Sequence, residues 1–87
     1  MDRLVGAVEA VLFASGEPVS HGALLEILQI DGPRLEQLLD NYRQELLERH
    51  SGLQLQQIAG GWQLATNMDY YDYVQRLGEE RDKHLSQ

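Results

Sequence analysis

One stretch, GLQLQQIAGGWQLAT at residues 52–66, alternates apolar and polar residues with a period of two, whereas the flanking sequence has helical spacing. A lone two-stranded hairpin is not stable in water, so this one must lie on the helices around it. A two-residue turn is expected at Gly60-Gly61, because glycine tolerates the positive φ of a type I′ turn. Ala59 then pairs with Trp62, Gln57 with Leu64 and Leu55 with Thr66. On that register Leu53, Leu55, Ala59, Trp62 and Leu64 share one face, and Gln54, Gln56 and Gln63 share the other. A slip of one residue would destroy this segregation, so the register is well specified and Trp62 points inward.

The helices follow from periodicity. Residues 2–14 form the first, with Leu4, Ala7, Val8, Val11 and Leu12 as its core stripe. SGEPVS (15–20) breaks it, with Gly16 and Pro18 as punctuation. Ser20 is a candidate N-cap for a second helix, HGALLEILQI (21–30), whose apolar residues are Leu24, Leu25, Ile27 and Leu28. A tight turn follows, and Pro33 suits the first position of a third helix because its missing N–H would be unpaired there anyway. That helix runs to about Arg49 and aligns Leu35, Leu38, Leu39, Tyr42 and Leu46 at i, i+3, i+4, i+7 and i+11. Thr66 and Asp69 resemble a capping box opening a last short helix, MDYYDYVQRL, with Tyr70, Val74 and Leu77 as its apolar stripe. GEERDKHLSQ loses periodicity and reads as a solvated tail or linker.

Three helices, a possible short strand near Val19 and a hairpin give a mainly α fold with a small β-hairpin, a winged helix-turn-helix, spanning residues 1–78. With 87 residues the chain makes one small domain, and with no cysteine it has neither disulfides nor thiolate metal sites to reinforce its core. The N-terminal apolar run is too short to span a bilayer and carries Asp2 and Glu9, so a signal peptide is rejected and a soluble, intracellular chain is expected.

A winged helix invites the question of DNA. The net charge is −7. The third helix and its turn carry Arg34, Arg43 and Arg49 against Asp31, Glu36, Asp40, Glu45 and Glu48, and no charged residue lies between Ser51 and Met68. Nucleic-acid affinity rests largely on cations at phosphates, and this wing has none to place there, so no direct nucleic-acid binding is expected. The glutamines read as a solvated strand face.

Catalytic signatures are missing too. His21, His50 and His84 stand far apart without metal-ligand spacing. Ser15 lacks the glycines of a nucleophile elbow. Glu36 with Asp40, and Glu45 with Glu48, alternate with arginines as a charged solvent face does. An enzyme is not expected, nor is any metal or cofactor.

Two features point to a protein partner. The outer side of the first helix, with Gly6, Glu9, Ala10 and Phe13, is short of polar groups for a surface helix. Gly6 and Ala10 are small enough for another helix to approach, with Phe13 as an anchor; alternatively the last helix covers this stripe within the same chain. The second feature is YYDYV (70–74), whose tyrosines, Tyr71 and Tyr73 among them, suit an interface but also suit core packing.

VEAVLFASGEPVS (8–20), GLQLQQIAGGWQLAT (52–66) and YYDYVQRL (70–77) together resemble the N-terminal winged-helix domain of segregation and condensation protein B. The resemblance spans nearly the whole chain. It implies a non-enzymatic subunit that homodimerises through this domain and binds the kleisin, segregation and condensation protein A. Through the kleisin it would act with the SMC ATPase in bacterial chromosome condensation and partition, in the cytoplasm at the nucleoid. It also implies that residues 79–87 lead toward a second winged-helix domain. A dimeric winged-helix transcription regulator is the runner-up.

Overall fold

The computed structural model describes residues 3–85, with side chains through residue 81. The order is α1 (Arg3–Ser15), β1 (Val19–Ser20), α2 (His21–Leu28), α3 (Gly32–Glu48), β2 (Leu53–Ile58), β3 (Gly61–Thr66), a 3-10 turn (Met68–Tyr70) and α4 (Tyr71–Leu85). The strands form one antiparallel sheet in the order β1-β3-β2, which is the expected winged helix-turn-helix.

The core lies where α1, α2 and α3 meet the inner face of the sheet. All five residues of the α3 stripe are buried, as the spacing requires, and Leu24 and Leu55 join them. On α1 the buried residues are Val5, Val8 and Leu12, while Leu4, Ala7 and Val11 are half-buried. The stripe is therefore centred one residue away from its expected position. A helix apolar on most of its circumference does not fix its own orientation, and its neighbours do so instead.

The helix ends are set by local chemistry. Ser20 caps α2, its Oγ accepting from the Ala23 N–H at 3.1 Å. Asp31 caps α3 by accepting from the Arg34 N–H at 2.9 Å, and Pro33 sits in the first turn as expected. α2 closes two residues early, at a left-handed Gln29. Asn67, rather than Thr66, caps the start of the last helical segment: its side chain accepts from the Asp69 N–H at 2.9 Å. Thr66 is still in β3 and pairs with Leu53, so it is not free to act as a capping residue.

The hairpin register differs from the expected one. Gln57 pairs with Trp62, Leu55 with Leu64 and Leu53 with Thr66. The turn is Ala59-Gly60, both at positive φ (48° and 76°). Gly61 explains the shift. It belongs to β3 opposite Ser20, and a Cβ there would lie 2.9 Å from the Val19 carbonyl oxygen. The close approach of β1 takes this glycine out of the turn and leaves Ala59 to adopt a left-handed conformation that costs about 1–2 kcal/mol in a non-glycine residue. Because the register moves by two residues, each side chain that remains in a strand keeps its face. Trp62 is half-buried against the core, with the Arg43 guanidinium 5.5 Å above its ring.

α4 continues through Gly78 to Leu85, where a tail without periodicity is expected from sequence. Glu79, Glu80 and Arg81 are strong helix formers and offset the single glycine. The described α4 side chains, residues 71–81, are all exposed. The molecule measures 51 × 25 × 22 Å, and the 15-residue α4 accounts for about 22 Å of helix at 1.5 Å per residue.

Candidate functional site

The outer side of α1 is open. Phe13 is 76% exposed, and Gly6 and Ala10 are exposed on the same stripe. A Cβ built on Gly6 meets no atom within 4 Å. Nothing in the described chain covers Phe13, so the alternative of an intramolecular lid by the last helix is not what the fold adopts.

Glu9 behaves differently from its three neighbours. Its carboxylate turns toward α3, where Oε2 accepts from the Tyr42 hydroxyl at 2.8 Å and from the Arg49 guanidinium at 3.3 Å. Arg49 also stands 3.8 Å from Glu45, one turn back on its own helix. Burial, then the bond to Glu9, pushes the Tyr42 hydroxyl well above its usual pKa of 10. Glu9 thus fixes α1 on α3 at the border of the open stripe.

The tyrosine-bearing helix presents a second apolar surface. Tyr71 and Tyr73 are exposed, Tyr73 by 67%, and so are Val74 and Leu77. Arg76 lies 5.5 Å over the Tyr73 ring, one turn along the same helix. Tyr71 and Val74 share a face with Gly78, while Leu77 flanks it. Val74 and Leu77 were legible as an apolar stripe; that they remain uncovered was not.

The segment that opens α4 is tied to the end of α3. The Tyr70 hydroxyl donates to the His50 carbonyl at 2.6 Å, directly after Arg49, which reaches back to Glu9. The Asn67 N–H donates to the Gly52 carbonyl at 2.7 Å, and its side-chain amide donates to the Ser51 carbonyl at 3.3 Å. These bonds tie the end of the wing to the end of α3.

Sequence reasoning missed one further feature. A groove of about 220 Å³ opens between the C-terminal half of α3 and β2, lined by Arg43, Leu46, Leu47, Leu53, Gln54, Leu55, Asn67 and Asp69. Leu47 is 60% exposed at its edge.

Two of the α3 arginines that could approach a phosphate are engaged within the chain. Arg49 is paired with carboxylates, and Arg43 donates to the Leu55 carbonyl at 3.5 Å beneath the wing. No group of three or more His, Cys, Asp or Glu among the described residues could hold a metal ion, and no helix there is long and apolar enough to cross a membrane.

Comparison with known proteins agrees with this geometry. The family model for the segregation and condensation complex subunit ScpB matches residues 6–87. Segregation and condensation protein B of Desulforamulus reducens is 33% identical over 85 residues, a match covering 98% of this chain and 47% of that protein. Its counterpart in Clostridioides difficile is 32% identical, covering 92% and 46%. The chain therefore spans about half the length of these relatives. Among solved structures, ScpB from Mycobacterium tuberculosis superposes with a TM-score of 0.84 at 27% identity, over 94% of this chain and 52% of that one. A crystallised dimer of the ScpB N-terminal domain, complexed with a ScpA peptide, has the same fold, with a TM-score of 0.81 at 24% identity over 88% and 93%. With its winged helix, its uncharged wing and this match over nearly its whole length, the chain belongs to the family of the segregation and condensation complex subunit ScpB.

Proposed function

We propose that the chain is the dimer-forming N-terminal part of a non-enzymatic, kleisin-binding subunit of the bacterial SMC condensin complex. In this reading it acts in chromosome condensation and segregation, in the cytoplasm at the nucleoid, and reaches the SMC ATPase through the kleisin, segregation and condensation protein A. Residues 79–87 lead to a second winged-helix domain in the intact protein. The observation that carries dimerisation is the open stripe of α1, where Phe13 is exposed beside the small residues Gly6 and Ala10. Family membership and the crystallised dimer of the related domain with its ScpA peptide support the partner assignment.

Sedimentation equilibrium at tens of micromolar is the test of dimerisation, with an expected mass twice that of the chain. Phe13→Glu would bury an unpaired charge in the interface and should return a monomer whose helical circular dichroism is intact. A wild-type mass that stays monomeric over this range refutes the dimer. Anisotropy titration of labelled kleisin should show saturable binding to the wild-type chain, and its absence refutes this domain's part in the kleisin contact. Duplex DNA at low salt, the condition that most favours electrostatic binding, should not bind; saturable, salt-sensitive binding would favour the transcription-regulator reading.

A further inference from the structure

We propose that the free edge of β2 and the groove beside it form a strand-addition site. It takes one extended segment of a partner protein that alternates apolar and polar residues and carries a carboxylate for Arg43. The inference goes beyond the dimer reading and does not depend on it.

β2 ends the sheet, with β3 on one side only. The Asn67 N–H donates to the Gly52 carbonyl, so in the antiparallel register that continues from there the even-numbered residues of β2 face β3. Leu53, Leu55 and Gln57 therefore turn their backbone groups outward. The Leu53 N–H donates to Ser51 Oγ at 3.1 Å, and the Leu55 carbonyl accepts from Arg43 at 3.5 Å. The Leu53 carbonyl, the Leu55 N–H and both backbone groups of Gln57 have no partner among the described residues.

Sheet edges are normally blunted by charges, proline, bulges or shortness. The opposite edge, β1, is two residues long. β2 has six residues, LQLQQI, in an unbroken register with neither charge nor proline. Such an unguarded ladder is the template that strand addition uses, because nothing in it repels a second strand.

The groove sets what the added strand must carry. Leu53 and Leu55 point to one face of β2 and Gln54 to the other, so a groove lined by all three runs along the free edge. Its volume of about 220 Å³ is below the roughly 300–1,000 Å³ of small-molecule pockets and suits single side chains of a peptide. Side chains of the added strand alongside Leu53 and Leu55 enter it against Leu46 and Leu47, and are apolar. Those alongside Gln54 and Gln56 face solvent with the glutamines, and are polar. Arg43 adds a preference for charge. It pairs with no carboxylate among the described residues, and its 3.5 Å bond to Leu55 is long against the roughly 2.7–3.2 Å usual for N–H···O. An incoming strand takes over the Leu55 carbonyl, and the guanidinium beside the Trp62 ring turns to the segment's carboxylate.

The probe is a capped peptide of about seven residues, a common strand length, alternating leucine with threonine and carrying one glutamate. Titration followed by heteronuclear NMR should show saturable binding. The Leu55 and Gln57 amides should exchange with solvent several-fold more slowly, while Gln54 and Gln56, already paired with β3, do not change. The Gln57 N–H faces outward, so Gln57→Pro keeps the fold and removes one ladder donor. It should weaken binding by about tenfold or more with circular dichroism unchanged. Leu47→Asp, at the exposed rim of the groove, should weaken it as well, and Arg43→Gln should level the glutamate peptide with its glutamine version. Wild-type spectra that the peptide leaves unchanged would overturn the proposal. So would binding that survives in folded Gln57→Pro and Leu47→Asp variants. Leu55 and Gln57 amides already protected in the free chain, with sedimentation showing wings paired between copies, would give the edge to a second copy and overturn it too.

Discussion

α3 and α4 are similar helices with opposite fates. Each is amphipathic, of 17 and 15 residues respectively. The apolar stripe of α3 is buried from Leu35 to Leu46, whereas that of α4 is exposed at Tyr71, Val74 and Leu77. α3 sits in the middle of the domain, against α1, α2 and β2. α4 leaves the domain after the wing and packs mainly on the 3-10 turn that starts it. An apolar stripe thus predicts that something will cover a helix, and the path of the chain decides whether the same molecule can do so.

The largest expected effect would break this comparison if it failed. Leu38→Ala, in the buried stripe, should cost about 2–5 kcal/mol through lost burial and the cavity left behind. Leu77→Ala, in the exposed stripe, should stay within about 0.5 kcal/mol in dilute solution, where each chain is alone. Denaturant titrations of both variants measure the difference. An equally costly Leu77→Ala would mean that α4 is covered from within.

Next come the glycines. Gly61→Ala forces a Cβ against the Val19 carbonyl, which is backbone and yields only if β1 detaches, so a loss of about 1–3 kcal/mol is expected. Gly78→Ala, in open space within α4, should stabilise the monomer by about 0.5–1 kcal/mol, because alanine loses less backbone entropy in a helix. Thermal melts at low concentration should show opposite signs for the two substitutions.

The smallest effect sharpens the border between the buried and open sides of α1. The Tyr42 hydroxyl is held above its ordinary pKa of 10, chiefly by burial and then by Glu9. It stays neutral in the folded state under conditions that ionise it in the unfolded chain. Stability from this source is complete below pH 10 and is lost as pH rises toward the folded-state pKa. The slope should fall short of the about 1.4 kcal/mol per pH unit of one whole proton, since Glu9 remains partly solvated. Urea titrations from pH 8 upward should show the decline, and Tyr42→Phe should flatten it.

Most of the domain was legible because short-range chemistry specifies it. The α3 stripe, the Ser20 cap, the placement of Pro33 and the faces of the hairpin follow from spacing and turn propensity. Interface candidates were legible only in part. Phe13, Gly6 and Ala10 stand out as apolar residues on the wrong side of a helix, and the fold leaves them open. Glu9 carries no comparable signal, since its partners Tyr42 and Arg49 are 33 and 40 residues away.

The amino-acid sequence by itself determined most of which segments are helix or strand, the C-terminal half of α4 excepted, and which residues share a face, because those properties depend on neighbours a few positions apart. Tertiary structure alone decided the rest. The approach of β1 made Gly61 part of a strand and pushed the turn back to Ala59. Packing against α2, α3 and β3 centred the α1 core on Val5, Val8 and Leu12. The exit of the chain after the wing left the described side chains of α4 exposed. Each of these outcomes joins residues distant in sequence, and local periodicity carries no term for which distant surface will arrive.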